Sequence, residues 1–226
     1  MKEGKILNLG IDDAGRGPVI GPMVLAGCVL DEPVEKELKK FGVKDSKQLT
    51  QKRREFLEKI IKEKAEVFEV LVFHPDEIDS REKEDMNLND LEAVACAKII
   101  NKINKGDKKL KVIIDCPSVS INKWSDFLKT KIKDLSNLEI HCEHKADQNH
   151  VSVSAASVLA KCTREREMEK LKQKYGTEIG SGYCSDPSTC RFLEKNADKF
   201  KDEGIFRKTW VTWQTASRNL GQKKLF

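Results

Sequence analysis

The chain lacks any apolar run approaching the roughly 18–20 residues that a membrane-crossing helix needs, so no such span is expected. Its N-terminal residues, Met1-Lys-Glu-Gly-Lys5, lead into a strand-like segment without the apolar stretch of a secretory signal. A cytoplasmic protein is therefore expected. No C-x-x-C pair occurs, and the seven cysteines (28, 96, 116, 142, 162, 184 and 190) are odd in number and irregularly spaced. That argues against a disulfide framework and fits free, mostly buried thiols in a reducing compartment. The run His141-Cys142-Glu143-His144 has zinc-ligand chemistry, but neighbours along a strand point to opposite faces and no second ligand pair follows. The four histidines fall in no evident Ser/His/Asp or Cys/His arrangement, so catalysis through a side-chain nucleophile is not indicated. Internal repeats and low-complexity segments are missing too.

Charge is abundant. Charged residues make up 35% of the 226 and hydrophobic residues 38%, enough apolar material and length for one large domain, alone or with a small appendage. The net charge of +5 is unevenly spread: residues 161–226 carry a net +6 and residues 1–160 a net −1. A basic C-terminal third on a near-neutral body suits a polyanionic partner, the plain alternative being a solvated lysine-rich surface.

Residues 6–12 and 19–30 read as buried strands, separated by the turn-rich Asp12-Asp13-Ala14-Gly15-Arg16-Gly17-Pro18 and expected to form an antiparallel pair. A third strand is expected over 67–73, so that three strands come in a row before the helices begin. The period then changes: Leu88, Leu91, Ala95, Ile99 and Ile103 recur at helical spacing and Gly106 follows as a stop. Strands at 111–115 and 138–144, a helix at 122–135 and a long helix at 151–175 complete a mixed α/β sheet flanked by helices. Asp186-Pro187 is a cap and first-turn pair for a further helix. Over 209–220 a helical stripe of Trp210, Trp213, Ser217 and Leu220 is expected, with the tryptophans as core. The chain thus divides, in this reading, into a catalytic domain over 1–184 and a small helical appendage over 185–226.

Three carboxylates stand where apolar strands end: Asp12 closes the first, Asp115 closes Val112-Ile113-Ile114, and Asp147 follows the strand through His144. One acidic residue after an apolar run usually turns the chain or caps a helix. Three in one sheet converge if the strands are adjacent, and like charges at close range are costly without a cation. Such an oxygen-only cluster suits Mg²⁺ or Mn²⁺. Two of these ions about 3.5–4 Å apart can activate a water and stabilise the leaving oxygen of a phosphodiester. Beside Asp12 and Asp13, the glycines of Gly15-Arg16-Gly17 let backbone amides approach a ligand, and Arg16 offers a planar fork to a phosphate.

Five blocks in order from residue 10 to 187, and a further C-terminal segment, carry a family resemblance. Gly10-Ile-Asp-Asp-Ala-Gly-Arg-Gly-Pro-Val-Ile-Gly-Pro-Met23 resembles the opening motif of ribonuclease HII, the type 2 ribonuclease H. Lys44-Asp-Ser-Lys-Gln-Leu49 resembles its D-S-K-x-L segment, and Val112-Ile-Ile-Asp115 its third acidic site. His144-Lys-Ala-Asp147 with Val153-Ser-Ala-Ala-Ser-Val-Leu-Ala-Lys161 is similar to its fourth site and the helix behind it. Gly180-Ser-Gly-Tyr-Cys-Ser-Asp-Pro187 resembles its G-S-G-Y-x-S-D-P signature, and Arg207-Lys-Thr-Trp210 its C-terminal helical region.

The resemblance implies a ribonuclease H-like fold with Asp12, Asp13, Asp115 and Asp147 as the catalytic and metal-binding set, for Mg²⁺ or Mn²⁺ and two ions during catalysis. It implies that Gly15, Arg16 and Gly17 recognise the ribonucleotide 2′-hydroxyl and its phosphate, that Tyr183 packs on the neighbouring sugar, and that Lys44, Ser46 and Lys47 contact phosphates. The implied substrates are RNA/DNA hybrids and duplex DNA containing a ribonucleotide, cut to leave 3′-hydroxyl and 5′-phosphate ends. Reading the 2′-hydroxyl is how a protein separates RNA from DNA, and the basic appendage would hold the duplex backbone. The compact chain resembles the family's archaeal single-subunit form, and a monomer is expected.

One position departs from the family pattern: the second acidic residue is usually glutamate, and here it is Asp13, shorter by one methylene. A hybrid-binding protein that no longer cuts is the alternative this raises, and another nuclease or strand-transfer enzyme of the same fold is the alternative within enzymes. The tail Gln222-Lys-Lys-Leu-Phe226 resembles a shortened sliding-clamp-binding peptide whose full form places a pair of aromatics further on; a frayed basic terminus is its other reading.

Overall fold

The computed structural model describes residues 7–43 and 49–223, with side chains through residue 218. Five strands form one sheet: β1 (Leu7–Ala14), β2 (Met23–Asp31), β3 (Val67–Phe73), β4 (Leu110–Asp115) and β5 (Leu138–Glu143), in the order β3-β2-β1-β4-β5. The central position of β1 explains its apolar core, with Leu9 and Ile11 fully buried, and every residue of β2 is buried. β4 runs parallel to β1 and to β5. The register pairs Ile11 with Ile114. Asp12 and Asp115 therefore stand one step further along two neighbouring parallel strands, with side chains on the same face.

Nine α-helices accompany the sheet among the described residues: α1 (Glu32–Lys40), α2 (Gln51–Lys64), α3 (Pro75–Ser80), α4 (Leu88–Ile103), α5 (Ile121–Lys129), α6 (Ala146–Asn149), α7 (Val151–Tyr175), α8 (Pro187–Asn196) and α9 (Val211–Lys223). None is long and apolar enough to cross a membrane. Where a clear stripe and a cap coincide, the sequence reading matches the structure. For α4, the Asn87 side chain accepts from Asp90 N–H at 3.1 Å and Asp90 accepts from Asn87 N–H at 3.0 Å, a reciprocal cap.

Three expectations are corrected. The first three strands do not follow one another directly, because α1 and α2 intervene between β2 and β3. Asp31 caps α1 by accepting from Val34 N–H at 2.9 Å, and Thr50 caps α2. The helix expected to reach residue 135 stops at Lys129, where Asn101 of α4 takes over the following turn: its side chain donates to Lys131 O and accepts from Lys133 N–H. On α9, Trp213 and Ala216 are buried while Ser217 is exposed, Trp210 precedes the helix, and the side chain of Leu220 lies outside those described.

The chain packs as two compact units. The first comprises the described residues of 1–14, 25–71 and 87–162, and the second those of 15–24, 72–86 and 163–226. Residues 185–226 lie wholly within the second unit, which also takes in the Gly15–Gly17 loop and Tyr183. Its core gathers Val19, Ile20, Phe192, Phe206 and Trp213, with the last two rings stacked at 4.6 Å.

Candidate active site

In the first unit, close backbone approach sets the site. A Cβ on Gly10 would lie 2.1 Å from the carbonyl carbon of Ser152, so β1 rests directly on the first turn of α7. This explains the small residues that open α7, where Ser154, Ala155, Ala156 and Ser157 are all buried. Ser157 hydrogen-bonds Asp12, and the Ser154 hydroxyl donates to Asp147 O.

Asp12 is buried, and its Oδ1 accepts from Asp13 N–H at 2.7 Å. Burial pushes its pKa up to about 8; Asp13 and Asp115 push in the same direction, and the hydrogen bonds from Ser157 and Asp13 oppose them. Asp115 Oδ1 accepts from Ala146 N–H at 3.2 Å, which ties the end of β4 to the start of α6. The chain reaches α6 through Lys145 in the left-handed region (φ +57°), and Asp147, two residues further, is buried to 2% exposure. Asp12, Asp13 and Asp115 line one small cleft, together with Glu92, Cys96 and Trp124.

Glu92 is not among the candidates read from the sequence. It is 2% exposed, and its signal was present: Glu92, Cys96, Ile99 and Ile103 share the apolar face of α4, so a carboxylate breaks that face. The oxygen-only donor set and the mutual repulsion felt by Asp12 fit a hard divalent cation. Among the described residues no group of three or more His, Cys, Asp or Glu is arranged to hold an ion as it stands.

In the second unit, the Gly15–Gly17 loop is built against two arginines. Gly15 has φ +82°, and a Cβ there would lie 2.2 Å from Arg164 Nε. Arg164 is nearly buried, which lowers its pKa, with Tyr183 and Glu165 opposing. Its guanidinium lies 5.1 Å from the Tyr183 ring centre, and Nη2 donates to Ser181 O at 3.1 Å. A Cβ on Gly17 would lie 4.0 Å from Tyr183 Cε1, so the half-exposed ring flanks this glycine. Gly182 (φ +83°) accepts from Val19 N–H at 2.9 Å, and a Cβ on it would meet Ile20 O at 2.4 Å. Asp186 braces the same turn by accepting from Ser181 N–H at 2.7 Å and Ser188 N–H at 2.9 Å, bonds that draw its pKa down to about 2.

The expected site residues thus fall into two sets. The structure brings Asp12, Asp13 and Asp115 to one cleft, ties Asp147 to it through Ala146, and separately sets Gly17 beside Tyr183 and Gly15 against Arg164, with Arg16 between the two glycines. Lys44, Ser46 and Lys47 lie outside the described residues, as do Lys224, Leu225 and Phe226 of the tail. Arg164 and Glu92 join the inventory from the structure, Glu92 with a sequence signal that had gone unread.

A five-stranded mixed sheet of this order, with carboxylates at the ends of its adjoining β1 and β4, defines the class of ribonuclease H-like proteins. Within it the chain belongs to the ribonuclease HII family, whose model, described as Ribonuclease HII, matches residues 9–213. A ribonuclease HII of Methanococcus maripaludis is 42% identical over 224 residues, covering 99% of this chain and 92% of the relative. A crystal structure of the ribonuclease H2 from Pyrococcus horikoshii OT3 superposes with a TM-score of 0.84 at 40% identity, over 94% of this chain and 98% of that one. The ribonuclease HII in a complex with PCNA from Archaeoglobus fulgidus superposes with a TM-score of 0.78 at 36% identity, over 92% and 94% of the two chains. The protein is a nuclease, a hydrolase acting on the RNA strand of RNA/DNA hybrids.

Proposed function

We propose that this nuclease also incises duplex DNA at embedded ribonucleotides, the first step in their removal, and that it works with two Mg²⁺ or Mn²⁺ ions held by Asp12, Asp13, Asp115 and Asp147. The observation that carries this reading is the register of β1 and β4, which sets Asp12 and Asp115 side by side with Asp13 in one cleft. Asp12, Asp13, Asp115 and Asp147 would hold the divalent ions, whose charge would make a water easier to deprotonate near neutral pH and would offset the charge on the departing oxygen. Hydrolysis breaks the bond between phosphorus and the 3′ oxygen, so the water oxygen stays on a 5′-phosphate and the other end is a 3′-hydroxyl.

The chain's own residues hold and orient. Ser157 and the Asp13 amide keep the Asp12 carboxylate aimed, and the Ala146 amide does the same for Asp115. Gly15, Arg16 and Gly17 bring backbone donors and one guanidinium to the ribose and its phosphate, and Tyr183 lays its ring against the adjoining sugar. The basic residues of 161–226, Arg191 and Lys195 of α8 among them, hold the duplex backbone. A sliding-clamp contact through Gln222–Phe226 belongs to the same reading, supported by the relative solved with PCNA.

Asp115→Asn tests the assignment without removing the fold, since the amide oxygen can still accept from Ala146 N–H. Cleavage of a duplex with one ribonucleotide is expected to fall on the order of 10²-fold or more, with affinity for that duplex nearly unchanged. Cleavage retained within a few-fold would remove Asp115 from the catalytic set.

A further inference from the structure

Arg207 is fully buried. Its guanidinium spends all three nitrogens on backbone carbonyls: Nη2 donates to Gly15 O at 2.6 Å, Nη1 to Arg16 O at 2.7 Å and Nε to Gly21 O at 3.0 Å. Its own N–H donates to Val19 O at 2.9 Å. Three residues on, the Trp210 indole donates to Gly17 O at 3.2 Å, and the Trp210 ring lies 5.0 Å from the Arg207 guanidinium carbon. One short segment of the C-terminal region therefore takes the carbonyls of Gly15, Arg16 and Gly17 in succession.

Packing alone does not call for an arginine here. Burying a guanidinium costs free energy that an apolar side chain of similar volume avoids, so the forked donor matters for what it grips. In a planar trans peptide the C=O of one residue and the N–H of the next point in opposite directions. Fixing Gly15 O and Arg16 O on Arg207 therefore aims the N–H groups of Arg16 and Gly17 away from it. Successive N–H groups beside a left-handed glycine form a concavity suited to an oxygen ligand.

We infer that Arg207 and Trp210 are positioning residues for ribonucleotide discrimination, holding the Gly15–Gly17 backbone so that its amides meet the 2′-hydroxyl. The inference rests on the reading in which this loop recognises the ribose. A loosened loop weakens recognition of the ribose while leaving the carboxylates in place, so the effect belongs in KM and in the preference for ribonucleotide over deoxyribonucleotide, with kcat little changed.

The test compares Arg207→Lys, which keeps the charge and loses the fork, with Trp210→Phe, which keeps a ring and loses the bond to Gly17 O. Trp213→Phe, in the core against Phe206, serves as the structural control. Each full-length variant is measured well below its unfolding temperature, for KM and kcat on a duplex with one ribonucleotide and for metal-free affinity on that duplex against all-DNA. Trp210→Phe is expected to lose about 3-fold in the affinity ratio and Arg207→Lys about 10-fold or more, one and two to three hydrogen bonds respectively. All-DNA affinity should stay constant, and Trp213→Phe should lower thermal stability without moving the ratio. An unchanged ratio in folded Trp210→Phe and Arg207→Lys overturns the inference, as does an equal loss in Trp213→Phe. A wild-type protein with no preference between the two duplexes overturns the underlying reading of the loop as well, which separates the two failures.

Discussion

Asp12 keeps its proton up to about pH 8 because it is buried between Asp13 and Asp115. An unfolded aspartate loses its proton near pH 4, so between these values the folded, ion-free protein binds more protons than the unfolded chain. The stability this group contributes is complete below about pH 4 and is lost as pH rises through about 8. Asp12→Asn removes that titration. Its unfolding temperature should match the ion-free wild type near pH 4 and exceed it by a growing margin toward pH 8–9, while cleavage is lost. Melting curves across that range in EDTA give the answer, and a variant less stable than wild type at pH 8 contradicts the electrostatic account. Asp12 and Asp115 could be picked out in the sequence because each closes an apolar run. The grip of Arg207 on Gly15 O and Arg16 O could not, since partners separated by more than 190 positions leave no periodic trace.

At the scale of elements, contact between β1 and α7 sets the position of the catalytic face. Gly10 has no room for a side chain, its would-be Cβ lying 2.1 and 2.2 Å from backbone atoms of Ser152 and Val153. Gly10→Ala must push the first turn of α7 away from β1, an overpacking expected to cost about 2–3 kcal/mol and, at this chain length, roughly 4–12 °C in Tm. Activity should fall further than stability explains, because Ser157 and Ser154 move with the helix; a variant with unchanged Tm refutes the close approach. β3 was readable from its run of Val, Phe and Leu, α4 from apolar residues at helical spacing, and α7 as a long segment ended by Gly176. α1 and α2 were not, because each is rich in lysine and glutamate and buries little: Leu38 alone on α1, and Leu57, Glu58 and Ile61 on α2. Their capping residues, Asp31 and Thr50, were the only strong local signals.

For the whole molecule, the sequence blocks that carry the family resemblance belong to both compact units: the metal-ligand candidates to the first, and the Gly15–Gly17 loop, Tyr183, Arg207 and Trp210 to the second. In the proposed reading, chemistry and recognition are encoded in separately packed parts of one chain, and those parts interleave along the sequence. The charge does not follow that division: residues 161–226 carry a net +6, but the acidic residues 72–86 bring the second unit to +2 against +3 for the first. The most direct measurement is cleavage of labelled duplex DNA carrying one ribonucleotide, in Mg²⁺, Mn²⁺ or EDTA, beside an all-DNA duplex. The account predicts a cut only at the ribonucleotide and only with a divalent ion, leaving a 3′-hydroxyl, with Asp13 serving in place of the usual glutamate. Binding without a cut in either metal, or equal cutting of the all-DNA duplex, would contradict it.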